Sequence, residues 1–416
     1  MKTILTAGPP AYEGYTVARL NGKVIMLKGA IPGEIVEAEI LREKKDYSVA
    51  ATLRILEPSP ERVAPQCPHF AACGRSTACG GCHMQYVSYP MQVRMKEEVL
   101  KSSLKRIGKM DLQLSEPFVG HPWNYRHRGK FRFSGGRAGY FMERSNRLVD
   151  IDECPLMTEE INEAFKNAKK ILKDTGACEL HIFRGDKTLA LINAQRSSAR
   201  GWEDISETLL KCCFAGVRVE AEGGKPMIFG AERLNLELDG LKYSVSAESF
   251  FQANWNLNRV LVKSALESLM LDGKTVLDLY SGAGNFALPA SRVAKRVVAV
   301  EENRSSIRDG KDNARANGIE NCEFVSCGVD DFKIREWFDA VILDPPRAGI
   351  SKTCAGKILA ASPSVIIYVS CNPSTLARDL GRLRNDYEVE SVRLVDFFPQ
   401  TYHMEALAVL SRRRQS

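Results

Sequence analysis

Apolar and polar positions along the chain change their period from one segment to the next. Over residues 1 to about 60 they alternate with a period of two between glycine turns, the pattern of half-buried strands. The runs Gly14–Leu20 and Lys23–Leu27 flank Asn21-Gly22, a strong hairpin signal, and Glu34–Ile40 and Ser48–Leu56 follow. Four or five short strands here predict a small β-barrel of the oligonucleotide-binding kind. Pro58, Pro60 and Pro65 then mark a boundary. From about 61 to 245 the pattern is mixed. An amphipathic helix carries Met95, Val99, Leu100, Leu104 and Ile107 on one face and Arg94, Lys96, Glu97 and Lys101 on the other. β-rich stretches at 123–142, 179–194 and 216–246 and a helix near 158–174 make this an α+β segment. From about 246 to 416, apolar runs at 275–280, 296–301, 322–326, 338–344 and 364–370 alternate with helical stretches. That alternation predicts an α/β fold with a doubly wound parallel sheet, closed by an antiparallel hairpin of Arg393–Phe397 and Ala406–Leu410.

Composition narrows the function classes. The 416 residues are 44% hydrophobic and 26% charged, as in soluble globular proteins, and no run approaches a membrane span. Gly8-Pro9-Pro10 interrupts the start too early for a secretory segment, so a cytoplasmic location is expected. In that compartment twelve cysteines point to metal or catalysis rather than disulfides. The net charge of +7 suits a polyanionic partner. Arg126-His127-Arg128-Gly129-Lys130-Phe131-Arg132-Phe133 interleaves cations for phosphates with aromatics for unpaired bases, and Arg412-Arg413-Arg414 adds a basic tail. An edge strand with ordinary outward charges is the plainer reading of the same run.

Three groups of residues carry chemistry. Cys67, Cys73, Cys79 and Cys82 fall close together, with Cys154 further on, and the Cys79-Gly80-Gly81-Cys82 turn lets two thiolates face one metal centre. Spacing alone leaves structural zinc and an iron–sulfur cluster equally open. Next, Val276–Phe286 runs from a buried strand through Gly282-Ala283-Gly284 into a helix, and Glu301 ends the following strand, where it can accept from a ribose. Nicotinamide cofactors and S-adenosylmethionine both fit that much. Asp344-Pro345-Pro346 after the fourth strand, an arrangement used by nucleobase methyltransferases, favours S-adenosylmethionine. Last, Val365–Ser370 delivers Cys371 to the carboxyl end of a strand, where open α/β sheets hold their ligands. A thiol there is either a covalent nucleophile or small apolar filler.

With these motifs in view, the chain resembles the iron–sulfur-containing RNA 5-methyluridine methyltransferases over nearly its full length. The matching elements are the TRAM-like start, Cys67-Pro68-His69-Phe70, Cys79-Gly80-Gly81-Cys82, Tyr125-Arg126-His127-Arg128 and Asp152-Glu153-Cys154-Pro155. They continue through Phe250-Phe251-Gln252-Ala253-Asn254, Asp278–Phe286, Asp344-Pro345-Pro346-Arg347, Ser370-Cys371-Asn372-Pro373 and His403-Met404-Glu405. The resemblance implies a Rossmann-like methyltransferase domain over 246–416, an RNA-gripping TRAM domain over 1–60, and a central domain over 61–245 holding a [4Fe–4S] cluster and an RNA-binding surface. It implies that the stretch 90–116 packs on the catalytic domain. It further implies that Gln252, Tyr280, Asn285, Glu301 and Asp344 line the methyl-donor pocket. The family pattern leaves either Cys67 or Cys73 as first cluster ligand, and Cys67 carries the better context.

The reaction implied is covalent. Cys371 adds to C6 of uracil, C5 takes the methyl of S-adenosylmethionine, Glu405 removes the C5 proton, and Cys371 leaves. The target base is expected to be flipped out of 23S ribosomal RNA, with Phe131 or Tyr125 stacking in its place and the enzyme acting as a monomer. The alternatives are a tRNA T-loop uridine, adenine amino-group methylation, and a non-enzymatic iron–sulfur RNA-binding protein. Arg347 speaks against the adenine reaction, which wants an aromatic after Pro-Pro. Glu405 by position alone is a solvated strand-end carboxylate, and its pairing with Cys371 rests on the resemblance.

Overall fold

A computed structural model describes residues 1–71, 78–195 and 201–414. Six strands form the N-terminal sheet: β1 (Lys2–Thr6), β2 (Pro10–Ala11), β3 (Tyr15–Leu20), β4 (Lys23–Lys28), β5 (Ile35–Glu43) and β6 (Tyr47–Glu57). Asn21 and Gly22 both take positive φ, 50° and 80°, which a two-residue hairpin turn between β3 and β4 requires. Alternate residues such as Ile25 and Leu27 fill a small core with Leu5, Val36 and Ala38.

α1 (Tyr89–Arg106) and β7 (Ser115–Phe118) come next. The buried face of α1 is Gln92, Val93, Met95, Lys96, Val99, Leu100 and Leu104. This corrects two sequence assignments. Lys96 lies on the buried face, one helical turn from Gln92 and Val93, and its charge is met by Asp396 at 2.6 Å. Ile107 lies beyond the helix and is 47% exposed.

The middle of the chain forms a seven-stranded sheet in the order β10-β9-β8-β11-β12-β13-β14. Its strands are β8 (Arg128–Ser134), β9 (Arg137–Phe141), β10 (Leu148–Asp150), β11 (Ala177–Arg184), β12 (Thr188–Ala194), β13 (Gly216–Ala221) and β14 (Met227–Gly230). Phe131, Leu180, Ile182, Ala190, Ile192 and Val219 on one face pack against α2 (Glu159–Leu172) and α3 (Trp202–Cys212).

The remaining elements are β15 (Arg233–Leu238), β16 (Leu241–Ser246), α4 (Trp255–Glu267), β17 (Thr275–Leu279), α5 (Ala287–Ser291), β18 (Arg296–Glu301), α6 (Arg304–Ala316) and β19 (Cys322–Ser326). β20 (Ala340–Leu343), α7 (Lys352–Ala361), β21 (Val365–Ser370), α8 (Pro373–Leu383), β22 (Tyr387–Val395) and β23 (Glu405–Arg412) complete the chain. The eight-stranded sheet runs β19-β18-β17-β20-β21-β23-β22-β7, parallel through its first five strands. β7 extends its far edge by pairing with β22, and Leu100 and Leu104 of α1 share a core with Leu376 and Leu380 of α8. The β15–β16 hairpin buries Leu234, Leu236, Tyr243 and Val245 against Val276 and Phe286 of this sheet's other core. Among the described residues, no helix is long and apolar enough to cross a membrane.

Candidate active site

The order of the eight-stranded sheet reverses between β17 and β20, and a crevice opens at such a switch point outside the carboxyl ends of the strands. Tyr280 follows β17, Glu301 ends β18, Asp344 follows β20 and Cys371 follows β21. Four residues singled out in the sequence thus reach one end of the sheet.

The turn after β17 is tight. Tyr280, Gly282 and Gly284 have φ of 65°, 55° and 90°. A Cβ on Gly284 would lie 2.7 Å from Leu288 Cγ, so packing as well as φ demands glycine there. A Cβ on Gly282 would meet nothing within 4 Å, which leaves the approach to this backbone open. Glu301 braces the turn: one carboxylate oxygen accepts from Gly282 N–H at 3.1 Å and the other from Asn303 N–H at 2.8 Å. Asn285 exchanges two amide hydrogen bonds with Asn258 of α4, at 2.7 and 3.0 Å. Asn258 was not singled out in the sequence, where one more polar residue on an amphipathic helix carries no signal. Gln252 is half-buried just before α4, whose cap Asn254 donates to Phe397 O at 3.3 Å.

Strand register settles where the acids and the thiol meet. β21 and β23 are antiparallel with Ser370 opposite Ala406, so the next positions outward are Cys371 and Glu405. β20 and β21 are parallel with Leu343 beside Tyr368, which sets Asp344 one step further along the same edge. Burial pushes the Cys371 thiol up to about 11; Glu405 and Asp344 add to the rise and Arg347 opposes it. Burial also pushes Asp344 up to about 7. Glu405, 7% exposed, is held well above the carboxylate range by burial and by Asp344, again against Arg347. Arg347 is therefore the cation of this acid cluster, and its place directly after Pro345-Pro346 was the available signal. Asn372 caps α8 through Ser374 N–H at 3.0 Å and donates to Arg347 O at 3.4 Å, tying Cys371's helix to the Asp344 loop.

A second site lies in the middle of the chain. Cys67, Cys79, Cys82 and Cys154 line one recess with Arg126, Tyr140 and Gln85. Gly80 packs so close to the Phe141–Glu143 backbone that a Cβ would sit 2.6 Å from Glu143 N. Burial raises all four thiols, Cys79 to about 11 and Cys82 to about 12; neighbouring sulfurs add to the rise at Cys79, Cys82 and Cys154, and Arg126 lowers the same three. Among the described residues, no three His, Cys, Asp or Glu side chains converge as ligands of a single metal ion. Cys73 falls in 72–77, outside the described residues.

The basic–aromatic run is divided by strand alternation. β8 is an interior strand between β9 and β11. Phe131 is fully buried and stacks on Phe165 at 3.9 Å, and Tyr125 is 4% exposed with its hydroxyl on Pro399 O at 3.0 Å. Neither is open to a base, which corrects that expectation: within β8, alternation turns Phe131 inward and Lys130 outward. Lys130 and Arg132 both pair with Glu179. Arg128 donates to Phe251 O at 3.2 Å and lies 5.0 Å over the ring of Phe250, which is 62% exposed beside Gln252. Phe250 entered the sequence reading only as part of a motif, with no stacking role assigned to it.

Known proteins resemble this chain over most of its length. A family model described as tRNA (Uracil-5-)-methyltransferase matches residues 227–413. An uncharacterized RNA methyltransferase of Aquifex aeolicus is 33% identical, covering 98% of this chain and 97% of its own. The 23S rRNA (uracil(1939)-C(5))-methyltransferase RlmD of Legionella pneumophila (strain Lens) is 32% identical over 97% and 95%. Among solved structures, the Pyrococcus abyssi tRNA (uracil-54, C5)-methyltransferase in complex with S-adenosyl-L-homocysteine superposes with a TM-score of 0.79 at 25% identity, covering 98% of this chain and 99% of that one.

Proposed function

The chain belongs to the RNA uracil-5-methyltransferase family, and on that premise we propose that Cys371 and Glu405 carry its reaction and that 23S ribosomal RNA is its substrate. It is an S-adenosylmethionine-dependent enzyme that methylates C5 of a uridine in RNA. C5 of uracil is a poor nucleophile. Addition of the Cys371 thiolate to C6 breaks the C5–C6 double bond and moves its electrons onto C5. When bound, S-adenosylmethionine supplies an electrophilic methyl on a cationic sulfonium. After methylation Glu405 takes the C5 proton, the double bond re-forms, and the thiolate leaves C6.

The observation that supports these roles is the β21–β23 register, which brings Cys371 and Glu405 opposite one another. Their electrostatics agree with it. Cys371, Asp344 and Glu405 are all held toward neutral forms by burial, so a cation in the crevice favours the charged form of each. On the donor side we assign Glu301, Asn285, Tyr280, Gln252 and Asp344 to the pocket, because the glycine turn beside them is open and braced. A flipped base leaves a gap in the RNA stack, and the exposed ring of Phe250 is our candidate to occupy it.

Cys67, Cys79, Cys82 and Cys154 are the residues we assign to a [4Fe–4S] cluster. Four thiols on one recess are an all-sulfur donor set. The N-terminal sheet we read as a TRAM-like RNA grip.

The test uses purified enzyme, S-adenosylmethionine with a labelled methyl, and ribosomal RNA or tRNA from a strain lacking the gene. Cys371→Ala is expected to abolish transfer, and Glu405→Gln to hold a covalent, methylated RNA adduct. Label appearing in tRNA alone would overturn the substrate assignment; full activity of Cys371→Ala would overturn the mechanism.

A further inference from the structure

The loop Asp396–Met404 leads directly into Glu405, and it is anchored repeatedly by the N-terminal half of the chain. Lys96 Nζ of α1 donates to Asp396 Oδ1 at 2.6 Å and Phe398 O at 3.0 Å. Tyr125 Oη donates to Pro399 O at 3.0 Å. The tightest grip is on Gln400. Its carbonyl accepts from the N–H groups of His83 and Met84 at 2.9 and 3.0 Å, just after Cys82. Its N–H donates to Gln92 Oε1 at 2.8 Å, and its Oε1 accepts from Gln92 Nε2 at 2.9 Å.

Gln400 needs such a grip. Its φ is +68°, a left-handed conformation that a glutamine keeps only where its surroundings impose it. It is 3% exposed, and Gln92 is fully buried on α1, so neither amide has water as an alternative partner. Gln92 is itself fixed, since its two Nε2 hydrogens are shared among Gln400 Oε1, Met84 O at 3.1 Å and Val87 O at 2.9 Å. One buried amide therefore ties together the segment after Cys82, the helix α1 and the loop before the base. Cys371 stands outside this arrangement, at the junction of β21 and α8.

We propose that Gln92 is a positioning residue for methyl transfer: by clamping Gln400 it aims Glu405 at the C5 proton. The proposal rests on the reading of Glu405 as the base. Because the nucleophile is carried elsewhere, a loosened clamp slows proton removal and spares addition and methylation.

The experiment compares the parent, Gln92→Ala, Gln92→Met, Gln400→Gly and Glu405→Gln by single-turnover methylation of RNA, scored on denaturing gels for labelled protein–RNA adduct and for released RNA. Gln400→Gly removes the side-chain half of the clamp while accepting φ of +68°, and Gln92→Met, which keeps the side-chain length but removes both halves, decides the matter where Gln92→Ala does not fold. The clamp variants are expected to form adduct within about threefold of the parent rate. Release should slow on the order of a hundredfold, the scale of a misplaced catalytic group. Release at the parent rate, or slow release without adduct, overturns the clamp. Adduct in Glu405→Gln but in neither clamp variant refutes the clamp alone. Adduct in the clamp variants but not in Glu405→Gln refutes the base assignment and leaves Gln92 positioning a different group.

Discussion

Cys371, our proposed nucleophile, is a thiol held in its resting form by burial and by its neighbours. Its thiol is pushed up to about 11 because burial and two carboxyl groups, Glu405 and Asp344, disfavour the thiolate, while Arg347 and a backbone hydrogen bond oppose them. A raised thiol pKa means that reactivity grows as pH rises toward it. Removing Arg347 takes away the lowering influence, so the sign is fixed: the pKa of Cys371 moves further up. Arg347→Met should shift the pH profile of Cys371 alkylation by iodoacetamide to higher pH. Near neutral pH the rate should fall by a factor of about two to ten, since one pH unit is tenfold in thiolate. Peptide mass spectrometry separates Cys371 from the other eleven cysteines. Arg347 is exposed, so added salt should shrink the difference. A profile that stays in place or moves to lower pH would contradict the arrangement.

Among the elements, α1 shows what the sequence could and could not reveal. Its apolar periodicity announced a helix, but Lys96 was sorted by chemical type onto the wet face. Position puts it on the buried face, where Asp396, 300 residues away, is the partner. Desolvation lowers the pKa of the lysine and Asp396 raises it. Breaking such a pair leaves an uncompensated buried charge, at a cost of about 3–5 kcal/mol. Lys96→Met should lower the denaturation midpoint accordingly, whereas Lys96→Met combined with Asp396→Leu should regain most of the loss. A single variant as stable as the parent would sink this account. The five parallel strands were readable because strands covered on both faces are continuous apolar runs. β7 was not, because its four residues are a strand only through β22. The same limit applied to the site: the strand end carrying Cys371 was legible, but its pairing with Glu405 is a matter of register between strands 35 residues apart. Residues such as Asn258 and Gln92 acquire meaning only from their tertiary partners.

On the scale of the whole molecule, the cysteine recess and the crevice are joined by short structural steps: Cys82 leads to His83 and Met84, and these hold Gln400 before Glu405. An ordered recess is then a condition for an ordered loop, which gives the cluster assignment a structural consequence. Burial raises all four thiols, and neighbouring sulfurs add to the rise at Cys79, Cys82 and Cys154; a cationic centre bound there would displace their protons to solvent, because coordination requires the thiolate. Anaerobically purified protein should contain about four iron and four sulfide per chain. Cys67→Ser, Cys79→Ser, Cys82→Ser and Cys154→Ser should each lose most of that iron. Cys73→Ser should keep it, because Cys67 already completes a four-thiol recess. Retention by Cys67→Ser with loss by Cys73→Ser would exchange the two assignments, and stoichiometric zinc without sulfide would replace the cluster altogether. Because the recess adjoins the clamp, iron loss should also loosen the loop: hydrogen exchange across 396–404 should quicken in Cys79→Ser while exchange in β17 and β20 stays slow.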